Sequence, residues 1–161
     1  MRVWAAFVLA FILMSAGAGA GATTIDRPEI FKFGSSVQSI QATLAPFCDV
    51  VSVRDIIPIT APLARGSQQQ IDCSGFLYAG AKRDIELVFQ DNQLDLVWIL
   101  FPEQETGFFI KEFVNRYGPA SMEIDFGVIF LQANAAVRRT PSEVLFVSDR
   151  QLEAMLVKLK S

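Results

Sequence analysis

The side chains that could do chemistry are few, and none falls into a working constellation. Asp91, Gln93 and Asp95 have the alternating spacing that opens a calcium-binding loop, but Leu96 stands where such a loop turns on Gly and Pro102 where it closes on Glu. A polar hairpin turn accounts for them. Glu103, Glu105 and Glu112 could supply paired carboxylates for acid and base work, yet they flank a loop and a helix start, where acidic residues suit the helix dipole. Ser74-Gly75 and Gly80 belong to neither a nucleophile elbow nor a phosphate loop, since Gly-x-Ser-x-Gly and Gly-x-x-x-x-Gly-Lys are both missing. Arg138-Arg139 can clamp an acidic partner or line a solvated edge. The chain contains no His, which removes Ser-His and Cys-His nucleophile pairs, imidazole bases and nearly all the usual zinc and non-haem iron sites. No catalytic residue, metal ligand or cofactor is assigned, and a non-enzymatic protein is the expectation.

The elements that must position any site come from a strongly apolar chain. Of 161 residues, 52% are hydrophobic and 14 are Phe, far too apolar for disorder. Lys plus Arg number 14 against 17 Asp plus Glu, a net charge of −3, which offers no footprint for a phosphate backbone. Nucleic acid is therefore excluded as the expected partner.

Met1-Arg2 gives a short positive start, Val3 to Met14 is unbroken apolar sequence, and Ala16 to Ala22 alternates Ala and Gly. This pattern predicts a signal peptide over residues 1–22, cut at one of the Ala-x-Ala sites to leave Thr23 first. The apolar run is shorter than the roughly 20 residues a spanning helix needs, so no stable membrane anchor is expected after cleavage. A periplasmic or secreted location follows. Residues 23–161 form a single domain whose Cys48 and Cys73 read most simply as one disulfide, two buried free thiols being the alternative.

Within that domain Ser35 and Ser36 offer N-caps, and Val37, Ile40, Leu44 and Phe47 recur at helical spacing. Asp49 to Gln70, with Pro58, Pro62 and Gly66, reads as a long irregular connection with one short strand at Val50 to Val53. The period then becomes two: strands are expected over Ile71 to Tyr78, through Ile85, Leu87 and Phe89, and over Leu94 to Phe101, with Asp91-Asn92-Gln93 as a hairpin turn. A helix runs through Phe109, Phe113 and Tyr117 to Gly118-Pro119, strands follow at about Glu123 to Leu131 and Glu143 to Val147, and Ser148 caps a last helix carrying Leu152, Met155, Leu156 and Leu159. The fold class expected is α+β, with a mainly antiparallel sheet of about four to five strands and three amphipathic helices. No internal repeat is readable.

Phe33-Gly34-Ser35-Ser36-Val37, leading through Leu44 to Cys48, resembles the Gly-Ser/Thr helix opening of small bacterial envelope modules of the outer-membrane assembly lipoprotein and beta-lactamase inhibitory protein type. Ile85 to Leu94 is similar to their strand, polar turn and strand. The resemblance covers about a third of the mature chain. It implies a non-enzymatic module that holds another protein. The lipid-accepting Cys of the assembly lipoproteins is missing here.

Leu94 to Phe101 is apolar on both faces, with Leu94, Leu96, Trp98 and Leu100 on one and Val97, Ile99 and Phe101 beside Asp95 on the other. A sheet solvated on one side alternates apolar and polar. Either helices cover both faces, or one face is an interaction patch. The expectation adopted is that Val97, Ile99 and Phe101, with Arg138 and Arg139, lie at or near a partner surface. The function expected is an exported binding or envelope-assembly module acting on another protein, with a homodimer compatible. The alternatives are an inhibitor presenting a loop such as Asp49 to Gln70, and a carboxylate-based hydrolase.

Overall fold

Tight reversals set the strand count. Ala79-Gly80 and Asp91-Asn92 both adopt positive φ at each position (50° and 78°, 51° and 61°), the backbone that lets a two-residue turn match strand twist. Asp125-Phe126 and Thr140-Pro141 close two more hairpins. In the computed structural model, which describes residues 25–160, these turns join β2 (Gln68–Tyr78) to β3 (Ala81–Gln90), β3 to β4 (Gln93–Leu100), β5 (Met122–Ile124) to β6 (Gly127–Phe130) and β7 (Ala135–Arg139) to β8 (Ser142–Val147), while the 3-10 turn Leu131–Ala133 links β6 to β7. With β1 (Val50–Asp55) they form one antiparallel sheet of eight strands in the order β1-β2-β3-β4-β8-β7-β6-β5. The expected signal peptide and the cut before Thr23 lie outside the described residues.

The expectation of four to five strands is thus corrected to eight, within an α+β chain. Glu123 to Leu131 is not one strand. It folds back at Asp125-Phe126, and Gly127 accommodates the return: a Cβ there would stand 2.7 Å from the Val137 carbonyl oxygen. The stretch around Arg138-Arg139, between the two strands expected there, is itself a strand, β7, whose Ala135 and Val137 are buried while Ala136, Arg138 and Arg139 are half-buried.

The helices follow their sequence signals more closely. Ser36 caps α1 (Val37–Leu44) by accepting a hydrogen bond from the Ser39 amide at 3.3 Å, and Val37, Ile40 and Leu44 are buried. Phe47, expected on that stripe, lies instead in the 3-10 turn Ala45–Phe47 and is exposed. Phe109 and Phe113 are the buried face of α2 (Thr106–Tyr117), which ends on Gly118 at φ 88°. Ser148 starts α3 (Asp149–Lys160), its Oγ accepting from the Gln151 amide at 3.2 Å. The Cys48–Cys73 disulfide ties the segment after α1 to β2.

A repeat appears that the sequence conceals. One helix and four strands, α1 with β1–β4, are followed by another helix and four strands, α2 with β5–β8, and the last strand of each half meets the other at the middle of the sheet.

Both α1 and α2 lie on one face of the sheet, in a cluster that includes Ile71, Leu87, Phe89, Val97, Ile99, Val144 and Phe146. Val97 and Ile99 are 0% exposed and Phe101 is 7% exposed, with its ring 4.2 Å from that of Phe109. The expectation that these three front a partner is therefore corrected: they are core. The opposite face has a smaller cluster, Val88, Leu96, Leu145 and Val147, under Ala61 and the α3 residues Leu152 and Met155. Among the described residues no helix is long and apolar enough to cross a membrane.

Candidate functional site

The parity of β4 decides which side chains reach solvent. Val88 pairs with Leu96, but Phe89 pairs with Leu94, so Asp95 is the extra residue of a β-bulge. Asp95 therefore does not mark the polar face of the strand. Its carboxylate is buried, accepting from Ser148 Oγ at 2.6 Å, from Gln90 Nε2 at 3.0 Å and from the Arg150 guanidinium, an arrangement that fastens the start of α3 to the sheet. Beyond the bulge, Val97 and Ile99 turn into the main core, and Leu96, Trp98 and Leu100 turn to the second face.

On that second face α3 and Ala61 pack against Val88, Leu96, Leu145 and Val147, with Trp98 and Ala136 at the edge of that cluster. Toward β1 and β2 the face opens, with Ser52 exposed and Asp72, Glu86 and Leu100 half-buried, while Leu145 and Glu143 are buried. Register places Ser52, Asp72, Glu86, Trp98 and Leu145 side by side across β1, β2, β3, β4 and β8. The next row sets Leu100, Glu143 and Arg138 together across β4, β8 and β7. Trp98 and Leu100 are half-buried. A groove of about 320 Å³ runs beside them, lined by Ser52, Asp72, Ser74, Asp84, Glu86 and Leu100 among others.

The electrostatics of this face are organised in pairs. Arg138 Nη1 meets Glu143 Oε1 at 2.7 Å, and the Arg138 guanidinium carbon lies 5.0 Å from the Trp98 ring centroid, within range of a cation–π contact. Burial pushes the Glu143 carboxyl above its ordinary range; Arg138 draws it back, and the Glu86 charge adds to the rise. At the other side, Asp72 accepts from Arg54 Nε at 2.7 Å and Gln70 Nε2 at 2.6 Å. Burial acts to raise Asp72, but the hydrogen bonds from Arg54 and Gln70, with the Arg54 charge, outweigh it and hold the carboxyl low.

The other sequence candidates are placed elsewhere. Arg139 is engaged at the β5 end of the sheet, donating to the Ile124 carbonyl at 2.9 Å and pairing with Glu123, so of the two arginines only Arg138 meets the open face. Glu105 forms a forked pair with Arg83 at 2.6 and 3.0 Å, and Glu112 accepts from Asn115. Asp91 holds the backbone amides of Arg65, Gly66 and Ser67 at 2.7–3.1 Å, which keeps its carboxyl below the usual range. It shares the bracing of residues 56–67 with Gln68, whose Oε1 accepts from the Thr60 and Ala61 amides at 2.8 Å, and Gln90, whose Oε1 accepts from Leu63 at 2.6 Å. Among the described residues no group of three or more His, Cys, Asp or Glu could hold a metal ion.

Sequence reasoning missed Trp98, Glu86, Asp72 and Glu143. Their signal was present only across strands, since each is unremarkable in its own segment and becomes a patch once register aligns them. Comparison of the chain with protein-family models, with curated proteins and with solved structures returns no match.

Proposed function

We propose that this chain is an exported, non-enzymatic protein-binding module that holds its partner on the open part of the second sheet face. The observation that carries the reading is Trp98, half-buried and flanked by Arg138, at the border between the cluster under α3 and the groove beside Leu100. Trp and Arg are the residues that most often anchor protein interfaces, because each combines a large apolar contact area with a polar edge. Paired charges around them, Arg54–Asp72 and Arg138–Glu143, give the surface a polar pattern that a partner must match. Among the described residues no cation is in hydrogen-bonding contact with Glu86, beside Trp98, so the partner's complementary group at that point is basic. The Cys48–Cys73 bond fits an oxidising compartment outside the cytosol, and the resemblance to protein-holding envelope modules points the same way.

Site-specific photo-cross-linking in the producing cell tests this. A photoreactive residue in place of Glu86 should give a discrete adduct with another protein, whereas the same group at Val157, exposed on α3, should not. Discrete adducts at neither Glu86 nor Leu100 would remove the open face as the binding surface.

A further inference from the structure

We infer that the slot between α3 and the outer strands of the sheet is a binding site for the alkyl tail of a single-chain amphiphile. It lies under α3 across β5 to β8, apart from the groove on β1 to β4, and does not depend on the reading of that groove. Register sets Met122, Ile129, Ala136 and Leu145 in one row across β5, β6, β7 and β8. The row is on the second face, since Val128, Phe130 and Val137, its neighbours along the strands, belong to the main core. Three long side chains and one methyl group make it uneven. Over Ala136 there is a dip, which Leu152, Met155 and Leu156 of α3 roof without filling. The space left is about 80 Å³, well above the roughly 10–15 Å³ that admits one water.

The lining selects the chemistry of the occupant. Asn134 brings the one polar side chain to it, and that amide already donates to Asp149. Water would find almost no partner there, and apolar cavities of this kind stay dry and take hydrocarbon. Burial is graded along the slot: Leu145 and Val147 at the inner end are buried, Ile129, Leu131 and Leu152 are half-buried, and Met122 at the β5 side is 38% exposed. An occupant therefore enters from the β5 side with its apolar end first and keeps a polar end in solvent. The volume is about half of the roughly 150 Å³ cavity that takes benzene, which suits the last carbons of a chain and not a ring.

Two further observations separate this slot from a packing void. Both methionines of the described residues, Met122 and Met155, line it, and Met is the flexible, polarizable side chain favoured where an apolar surface must adapt to what it binds. The roof is also anchored on one side of the slot. At the first turn of α3, Asp149 meets Asn134, Arg150 meets Asp95 and Gln151 meets Gln90. Leu152, Met155 and Leu156 follow that turn, so they can shift to admit a chain while the anchor holds.

Titration of the purified exported protein with monomeric octanol should shift the methyl resonances of Met122 and Met155 saturably in an NMR experiment on isotope-labelled methionine. Ala136→Leu fills the slot from its floor, and should weaken that binding at least tenfold while leaving the thermal midpoint unchanged or higher. Leu156→Phe should do the same from the roof. The absence of a saturable shift would overturn the inference, as would binding that persists undiminished in either folded variant. A lowered midpoint in both variants would overturn it too, because there would then be no space to fill. Shifts produced by phosphatidylcholine vesicles and not by octanol would make the slot a membrane contact, and that outcome also overturns a site for a single free chain.

Discussion

The two faces of the sheet are made by the same eight strands and differ in almost every physical respect. One buries Phe89, Val97, Ile99, Phe130 and Phe146 beneath α1 and α2, with further rings from Phe109 and Phe113 packed among them. The other has a four-residue buried cluster under α3, and beyond it a surface of Trp98, Leu100 and paired charges. On β4 the residues on each side are equally apolar. What separates them is their neighbours: Leu87 and Phe146 beside Val97, but Glu86 beside Trp98 and Glu143 beside Leu100. A strand's own composition therefore says little about which of its faces is dry, and the residues across the ladder say much more.

The sharpest way to break that contrast is truncation on each face. Phe109→Ala empties a fully buried site against Phe101, Phe108 and Tyr78 and should cost about 3–5 kcal/mol in chemical denaturation. Leu100→Ala, on the open face, should cost under about 1 kcal/mol, in keeping with partly exposed sites. Comparable losses at both positions would mean that the second face is as well covered as the first.

Cysteine substitution comes next. Cys48 and Cys73 close a loop with a sequence separation of 25, for which chain entropy gives roughly 3.5 kcal/mol. Cys48→Ser should show about that loss. Cys73→Ser should show more, because Cys73 is 2% exposed within the main core and the replacement puts a hydroxyl there. Equal losses would place Cys73 in a wetter site than the main face provides.

Asp95→Asn addresses the tether that covers part of the second face. It keeps the shape but weakens the charge-assisted bonds to Ser148 and Arg150, and should cost about 2 kcal/mol. Hydrogen exchange should rise first in α3, with α1 and α2 unaffected. Uniform loosening would mean that α3 is not held at that end.

Much of this architecture was readable from local pattern. Ser36 with Val37, Ile40 and Leu44 marks α1, the Asp91-Asn92 reversal marks the β3–β4 hairpin, and Ser148 marks the start of α3. These signals are carried by residues near one another in the chain. The errors came where the information lies across it. Gly127 becomes a strand position only because Val137 passes against it. Asp95 looks like the polar member of the Val97, Ile99 and Phe101 face until the Phe89–Leu94 pairing shows it to be the bulged residue. The candidate site was the least readable part, since Trp98, Glu86 and Glu143 come from three strands whose order no local period can supply.

The smallest effect distinguishes the two charged clusters of the open face by the sign of their pH dependence. Glu143 titrates above its ordinary range, chiefly through burial. The native protein therefore binds its proton at a pH where the unfolded chain has released it, and stability falls as pH rises from about 4.3, the unfolded Glu value, through the raised native midpoint. Asp72 is held low by Arg54 and Gln70. Its contribution is present above about 3.9, the unfolded Asp value, and is lost as pH falls through the depressed native midpoint. Urea denaturation across this range should show Glu143→Gln flattening the decline above pH 4 to 5 and Asp72→Asn flattening the loss below it. Arg138→Met should raise the Glu143 midpoint further in an NMR titration, because it removes the charge that draws that carboxyl down while leaving its burial and the Glu86 repulsion in place. A Glu143→Gln profile parallel to the wild type would show that water reaches this carboxylate freely, and the Trp98–Arg138–Glu143 end of the face would then be a solvated rim rather than the dry centre of a docking surface.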